Sequence, residues 1–305
     1  MSNIIRESTN DRRISSMAKA IAGWQTALST STAPPAGLFG RKVVIQTGDV
    51  TITNDVLDVE FDVPFDDDTE ANEATIVVYN LTQNTTKQIK KNAVITITAG
   101  YTGDTGMIFS GRVVEIRTKW DGSDRKTTIY AIDRQDMEER DVEEIAYKAG
   151  TKASYILKDL VNKLKLPVAV FKVRRDHKYK DKVNITGGLM DNIRRLAGVC
   201  GVSAYIHKGK VYVRPLKDGD DISFTVNEST GLIGTPEEFD ETETNEDYED
   251  AVHGYNVKML LQHRVATAAI INLNSREANG RFRVRSGRHI CNESEFVTEM
   301  EVIQG

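Results

Sequence analysis

The groups best equipped for chemistry in this chain are scattered rather than gathered. Its five histidines, His177, His207, His253, His263 and His289, form no HExxH pair. The two cysteines, Cys200 and Cys291, lie far apart and outside any CxxC context. They are expected as packed, reduced thiols rather than a disulfide framework or a zinc site. His289 and Cys291 stand two residues apart, on one face of a strand, but two ligands do not make a metal site. Asp66, Asp67 and Asp68 lack the alternating spacing of a calcium loop and read as a solvated turn. No GxSxG elbow, Walker loop or GxGxxG occurs. Carboxylates are plentiful enough for a glycosidase pair, yet aromatics are only 7% of the chain, few for stacking sugars. The expectation is a protein that is not an enzyme and has no catalytic residue, no metal and no cofactor.

Charge carries more of the signal. Arg281, Arg283 and Arg285 alternate with Phe282 and Val284, which places a ladder of guanidiniums on one face of a strand, with Arg288 just beyond. Such a ladder suits phosphate, the acidic run at residues 237–250, or a neighbouring subunit. The net charge of −5 argues against a general nucleic-acid binder. Pairing inside the chain or with a neighbour is favoured, and Arg281, Arg283 and Arg285 are candidate subunit-interface residues. Residues 237–250 hold nine carboxylates in fourteen positions and are expected to loop out through self-repulsion. Asp58, Glu60 and Asp62 alternate with Leu57, Val59, Phe61 and Val63, which puts carboxylates on one sheet face and apolar groups on the other.

The elements that must carry these groups fall into an arm and three regions. The chain has 305 residues, 39% hydrophobic and 28% charged, enough for two or three domains. No apolar run approaches the roughly 20 residues of a membrane helix, and the polar N-terminus has no signal-peptide core. In residues 1–36, Ile14, Met17, Ala18, Ile21 and Trp24 recur at helical spacing before a Ser/Thr/Pro-rich linker. This arm is read either as a disordered leader or as a short amphipathic helix anchored by Trp24 on a neighbouring subunit. Residues 37–135 alternate as strands, with Thr82 capping a short helix and Trp120-Asp-Gly-Ser-Asp turning a long hairpin. Residues 136–218 mix helix and strand. There, 136–148 is helix-compatible, 151–166 carries the stripe Tyr155, Ile156, Leu160, Val161 and Leu164, and 174–182 is a basic loop. Residues 219–305 return to strands around the acidic loop 237–250. The fold class is mainly β with an α+β insert.

The segments VPFDDDTEANEATIVVYNLT, KKNAVITITAGYTGDTGMIFSGRV and TTIYAID, followed later by GLIGTPE, GYNVKMLL and GRFRVRSGRHICNESEFVTEMEV, resemble the phage tail and baseplate hub proteins. They cover about two thirds of the chain in the family's order. The resemblance implies two tail-tube-like antiparallel β-barrel domains flanking a small α+β domain. It implies a homotrimer that joins the hexameric tail tube to the trimeric central spike, touches other baseplate proteins and lets DNA pass through its lumen without stable membrane insertion. It places the protein in the virion tail, at the baseplate or tail tip, after assembly in the bacterial host cytoplasm. On this reading Asp58, Glu60 and Asp62 are candidate lumen-facing residues, since like charges keep DNA from adhering. The arm at residues 1–36 and the long acidic run depart from the family's usual pattern. Two other classes remain to be separated from this one: a tail-tip wall-degrading enzyme, and a receptor- or carbohydrate-binding module for which Trp120 is the aromatic candidate.

Overall fold

The computed structural model describes residues 38–67, 71–133, 141–207, 210–245 and 248–304. The expected arm with Trp24, and Asp68 of the aspartate run, lie outside the described residues. The first β unit comprises β1 (Arg41–Thr47), β2 (Val50–Thr53), β3 (Val59–Phe65), β4 (Glu73–Tyr79), β5 (Val94–Tyr101), β6 (Asp104–Asp121) and β7 (Asp124–Ile132). Strict alternation does the work here: Val59, Phe61, Val63 and Phe65 of β3 are buried, while Glu60 and Asp62 point the other way. Val43 and Ile45 of β1 share a core with Val59 and Phe61, though these strands lie far apart in the sheet order, so the sheet curls around that core. A short helix, α1 (Gln83–Gln88), closes the β4–β5 crossover, with Thr82 Oγ1 accepting the Thr85 N–H at 3.1 Å as the sequence predicts.

The middle region holds β8 (Asp141–Tyr147), α2 (Ala153–Lys163), β9 (Val168–Phe171), β10 (Val183–Gly188), α3 (Leu189–Val199), β11 (Ser203–His207) and β12 (Lys210–Arg214). Two expectations are corrected. Residues 141–147, read as helix-compatible, form a strand paired with β10. A bulge between Ile185 and Gly187 lets Val142 and Tyr147, which differ in parity, both reach the core. Tyr155, assigned to the buried stripe of α2, is exposed and meets Tyr147 edge-on, while Ala153 and Leu157 complete the buried face. The basic loop 174–182 serves both helices. Arg175 donates to the Gly198 and Val199 carbonyls at the end of α3, and Asp176 accepts the Ser154 N–H at the start of α2.

The second β unit comprises β13 (Asp220–Val226), β14 (Leu232–Asn245), β15 (Tyr248–Leu260), β16 (Ala269–Asn274), β17 (Asn279–Cys291) and β18 (Phe296–Gln304). The acidic run does not loop out: residues 237–245 and 248–250 belong to the β14–β15 hairpin, paired in register from Glu237–Asn256 to Asn245–Tyr248. Alternation sends Glu237 and Glu241 to one face and Glu238 and Asp240 to the other, and supplies partners that sequence spacing hides. His253 sits 3.0 Å from Asp240, and Arg285 reaches Glu241 at 2.8 Å.

The two β units are one sheet. Strand β17 pairs with β16 through residues 279–283 and with β3 through Gly287–Phe65 to Cys291–Phe61. The resulting order β14-β15-β18-β17-β3-β4-β7-β6 is antiparallel at every step. It is also a repeat. The pairs Glu115–Tyr130, Arg117–Thr128 and Trp120–Arg125 of the β6–β7 hairpin correspond in register to Ser286–Glu301, Arg288–Glu299 and Cys291–Phe296 of β17–β18. Each long strand bulges at the same place, between Val113 and Glu115 and between Val284 and Ser286. The same cross-strand contact recurs, Thr118–Thr127 at 3.2 Å and His289–Thr298 at 2.9 Å.

Candidate assembly surfaces

The arginine ladder lies on β17, the strand that joins the two β units. Its bulge between Val284 and Ser286 interrupts the alternation that the sequence suggests. Each guanidinium finds a carboxylate of its own chain. Arg281 donates to Asp221 and Arg285 to Glu241, both at 2.8 Å, and Arg288 to Asp62 at 3.1 Å. Arg283 is wholly buried, donating to Asp67 at 2.8 Å and to the Asp218 carbonyl at 3.0 Å. A fully enclosed guanidinium cannot reach another subunit, so Arg283 is corrected from a candidate interface residue to an internal one. Arg281 and Arg285 keep some exposure, 59% and 24% of their side chains.

Arg283 stands where the middle region meets the second β unit. Beside it, Tyr205 is buried and accepts from Arg214 Nε at 2.9 Å, and Arg214 in turn pairs with Asp220 at 3.0 Å. Tyr205 and Tyr212 stack at 5.1 Å with the Arg214 guanidinium against both rings. Burial raises the Tyr205 hydroxyl pKa despite the nearby arginines Arg214 and Arg283. Buried charge here is matched cation for carboxylate, the arrangement that desolvated ions require.

Of the candidate lumen-facing carboxylates, Asp58 is exposed just before β3, and Glu60 and Asp62 share the sheet face opposite the core. Glu60 accepts from the Tyr79 hydroxyl at 3.3 Å, and Asp62 is held by Arg288. Toward the second unit that face continues into a groove of about 660 Å³, lined by Ile233, Glu237, Lys258, Arg288, Glu299 and Glu301 among others. Lys258 bridges Glu295 and Glu299 there at 2.6 and 3.0 Å.

Several of the histidines and both cysteines are engaged in packing and pairing. His289 is buried against Thr298, and Cys291 donates to the Val59 carbonyl at 3.5 Å. Burial pushes both the Cys200 and Cys291 thiols up to about 11. His263 contacts Asp104 at 2.9 Å, and Arg264 donates to the same carboxylate at 2.6 Å, tying the β5–β6 turn to the segment after β15. Among the described residues, Glu238, Asp240 and His253 bring possible ligand atoms within 4.8 Å of one another. They lie on the acidic hairpin, where the Asp240–His253 contact accounts for the arrangement. The cross-strand approach of His253 and Asp240, distant in sequence, is what spacing rules miss. Trp120, 71% exposed, stands near the tip of the β6–β7 hairpin.

The fold has solved counterparts. The tail protein from Neisseria meningitidis MC58 matches with a TM-score of 0.59 at 11% identity, over 87% of this chain and 97% of that one. The 43 kDa tail protein of prophage MuSo2 from Shewanella oneidensis matches at 0.60 and 9% identity, over 87% and 98%. The E. coli c3393 protein, a type VI secretion component described as similar to the T4 bacteriophage tail proteins gp27 and gp5, matches at 0.56 and 9% identity, over 86% and 76%. Among proteins of curated function, none matches the chain in sequence. A family model does: that of the baseplate hub gp41 matches residues 42–285, from β1 through the middle region and into β17 of the second β unit. The chain therefore belongs to the baseplate hub gp41 family and is a structural component of a phage tail.

Proposed function

We propose that this chain is the subunit of a homotrimeric hub ring that joins the hexameric tail tube to the trimeric central spike and forms part of the DNA conduit. The observation that carries the proposal is the repeat within one sheet, β14-β15-β18-β17 followed by β3-β4-β7-β6. A subunit with two like β units supplies two positions of a six-fold surface while obeying three-fold symmetry. Closed rings of this kind bury sheet edges that a free subunit leaves open. The two β units would be the tube-like domains at residues 37–135 and 219–305, and residues 136–218 the domain between them. Asp58, Glu60 and Asp62 are proposed to face the lumen, with the tube protein, the spike and other baseplate proteins as partners. Assembly would take place in the host cytoplasm before the particle is complete.

Mass measurement in solution tests this directly. The purified chain is expected at three times its 34.0 kDa subunit mass, or as three copies within a complex with its tail neighbours. A chain that stays monomeric even with those neighbours present overturns the ring. Release of fragments from purified peptidoglycan would favour the enzyme class instead.

A further inference from the structure

The two halves of the repeat differ along one edge of the long strand that each contains. In the second unit, the first half of β17 pairs with β16 and its second half with β3. In the first unit, the first half of β6 pairs with β5 in the same way, up to Arg112–Val94. Beyond the bulge, the corresponding edge of residues 115–121 has no strand beside it among the described residues. The counterpart of β3 in the other unit is β14, and β14 is the end strand of the sheet, with its outer edge likewise unpaired among the described residues. We infer that the second half of β6 pairs with β14 of the next copy of this chain, completing between subunits the seam that β17 and β3 make within one. The inference rests on the trimeric reading above and names the surfaces that would close the trimer.

Three further observations point the same way. First, strand direction fits. Eight strands that alternate antiparallel from β14 to β6 leave the two end strands running oppositely, so β6 of one copy meets β14 of the next in antiparallel sense. Such a head-to-tail contact closes into a ring when the rotation permits.

Second, charge fits. Strand β14 carries Glu237, Glu238, Asp240 and Glu241 and no cation. The open edge of β6 carries Arg117 and Lys119 against Glu115 and Asp121, with Arg112 at its start. Arg117 and, to a lesser degree, the nearby Lys91 lower the Glu115 pKa. Opposed signs of this kind select the partner and its register.

Third, the repeat supplies the register. Across the internal seam, Ile290 faces Asp62, and Arg288 donates to that carboxylate. Arg117 occupies the place of Arg288, and Lys119 that of Ile290. Glu237 occupies the place of Asp62, because Thr75 and Asn256, their respective neighbours across the pair, sit equivalently on β4 and β15. The seam therefore sets Lys119 opposite Glu237 of the next copy, with Arg117 donating to it. In the single chain Arg117 instead doubles back on Glu115, at 2.7 Å to each carboxylate oxygen. Trp120 is accounted for as well. Its counterpart Cys291 is 7% exposed beneath β3, whereas Trp120, on the open edge, is 71% exposed.

Paired cysteines test the register. Lys119→Cys with Glu237→Cys in one full-length chain is expected to give, on mild oxidation, a covalent ladder ending at the trimer, and neither single variant gives one. The native thiols are buried and do not compete. Arg117→Glu is expected to lose the trimer at concentrations where the unaltered chain holds it, and adding Glu237→Arg is expected to restore it. Both positions are exposed, so thermal unfolding of the subunit serves as the folding control. An unaltered chain that is trimeric while the double-cysteine variant stays uncoupled and Arg117→Glu stays trimeric overturns the seam but leaves the ring standing. An unaltered chain that stays monomeric with its tail neighbours overturns both.

Discussion

Side chains of one type do different work here according to burial. Arg281 and Arg283 are two residues apart on one strand, each 2.8 Å from a carboxylate. Arg281 is in water and its pair is worth about 0.2–1 kcal/mol. Arg283 is enclosed, so replacing its partner by Asp67→Ala leaves a buried charge uncompensated, at a cost of roughly 3–5 kcal/mol. Urea titration of both variants, Arg281→Ala and Asp67→Ala, is expected to separate them clearly, and equal midpoints would refute the contrast. The two thiols make a second prediction. Burial raises each from 9.0 to about 11, which means that the folded chain keeps its thiol protons where the unfolded chain has lost them. Their contribution to stability is whole below pH 9 and declines as pH climbs through about 11. The unfolding midpoint should fall across that window, and a Cys200→Ala, Cys291→Ala variant should show a shallower fall.

At the scale of elements, the seam between β17 and β3 is where the two β units become one body. It depends on a bare backbone at Gly287, where a Cβ would lie 2.6 Å from the Phe65 ring and 2.3 Å from the Glu299 carbonyl oxygen. Gly287→Val is expected to cost roughly 1–3 kcal/mol by overpacking and to split calorimetric unfolding into two steps as the units uncouple. A single transition at the original temperature would count against this. Local period was legible in the sequence wherever one face of a strand is buried, as at Val59, Phe61 and Val63, or where a helix stripe is, as at Ile156, Leu160 and Val161. Interactions that depend on partners far along the chain were not. The run at 237–250 looks self-repelling until His253 and Arg285 stand beside it. Residues 141–147 look helical until β10 supplies a ladder and a bulge. Arg281, Arg283 and Arg285 look alike until the fold buries one of them. The repeat was hidden for a further reason. Its equivalent positions share geometry but mostly not residue type, as Trp120 and Cys291 or Lys119 and Ile290 demonstrate.

For the whole molecule, a net charge of −5 becomes a question of which surfaces carry it. On the proposed ring, the acidic β14 edge is consumed at the subunit seam, whereas Asp58 and Glu60 remain free to line a conduit. DNA passing such a wall meets like charge and releases no counterions to it, so it gains nothing by stopping. Reversing the wall should reverse that behaviour. Particles assembled with Asp58→Lys and Glu60→Lys are expected to form in normal yield, since Asp58 is exposed and Glu60 makes only a long contact, 3.3 Å, with Tyr79. Their DNA ejection should be slowed, and added salt should relieve the slowing because it screens contacts between cations and phosphates. An ejection rate equal to that of the unaltered particle at every salt concentration would mean that these carboxylates face away from the passing DNA.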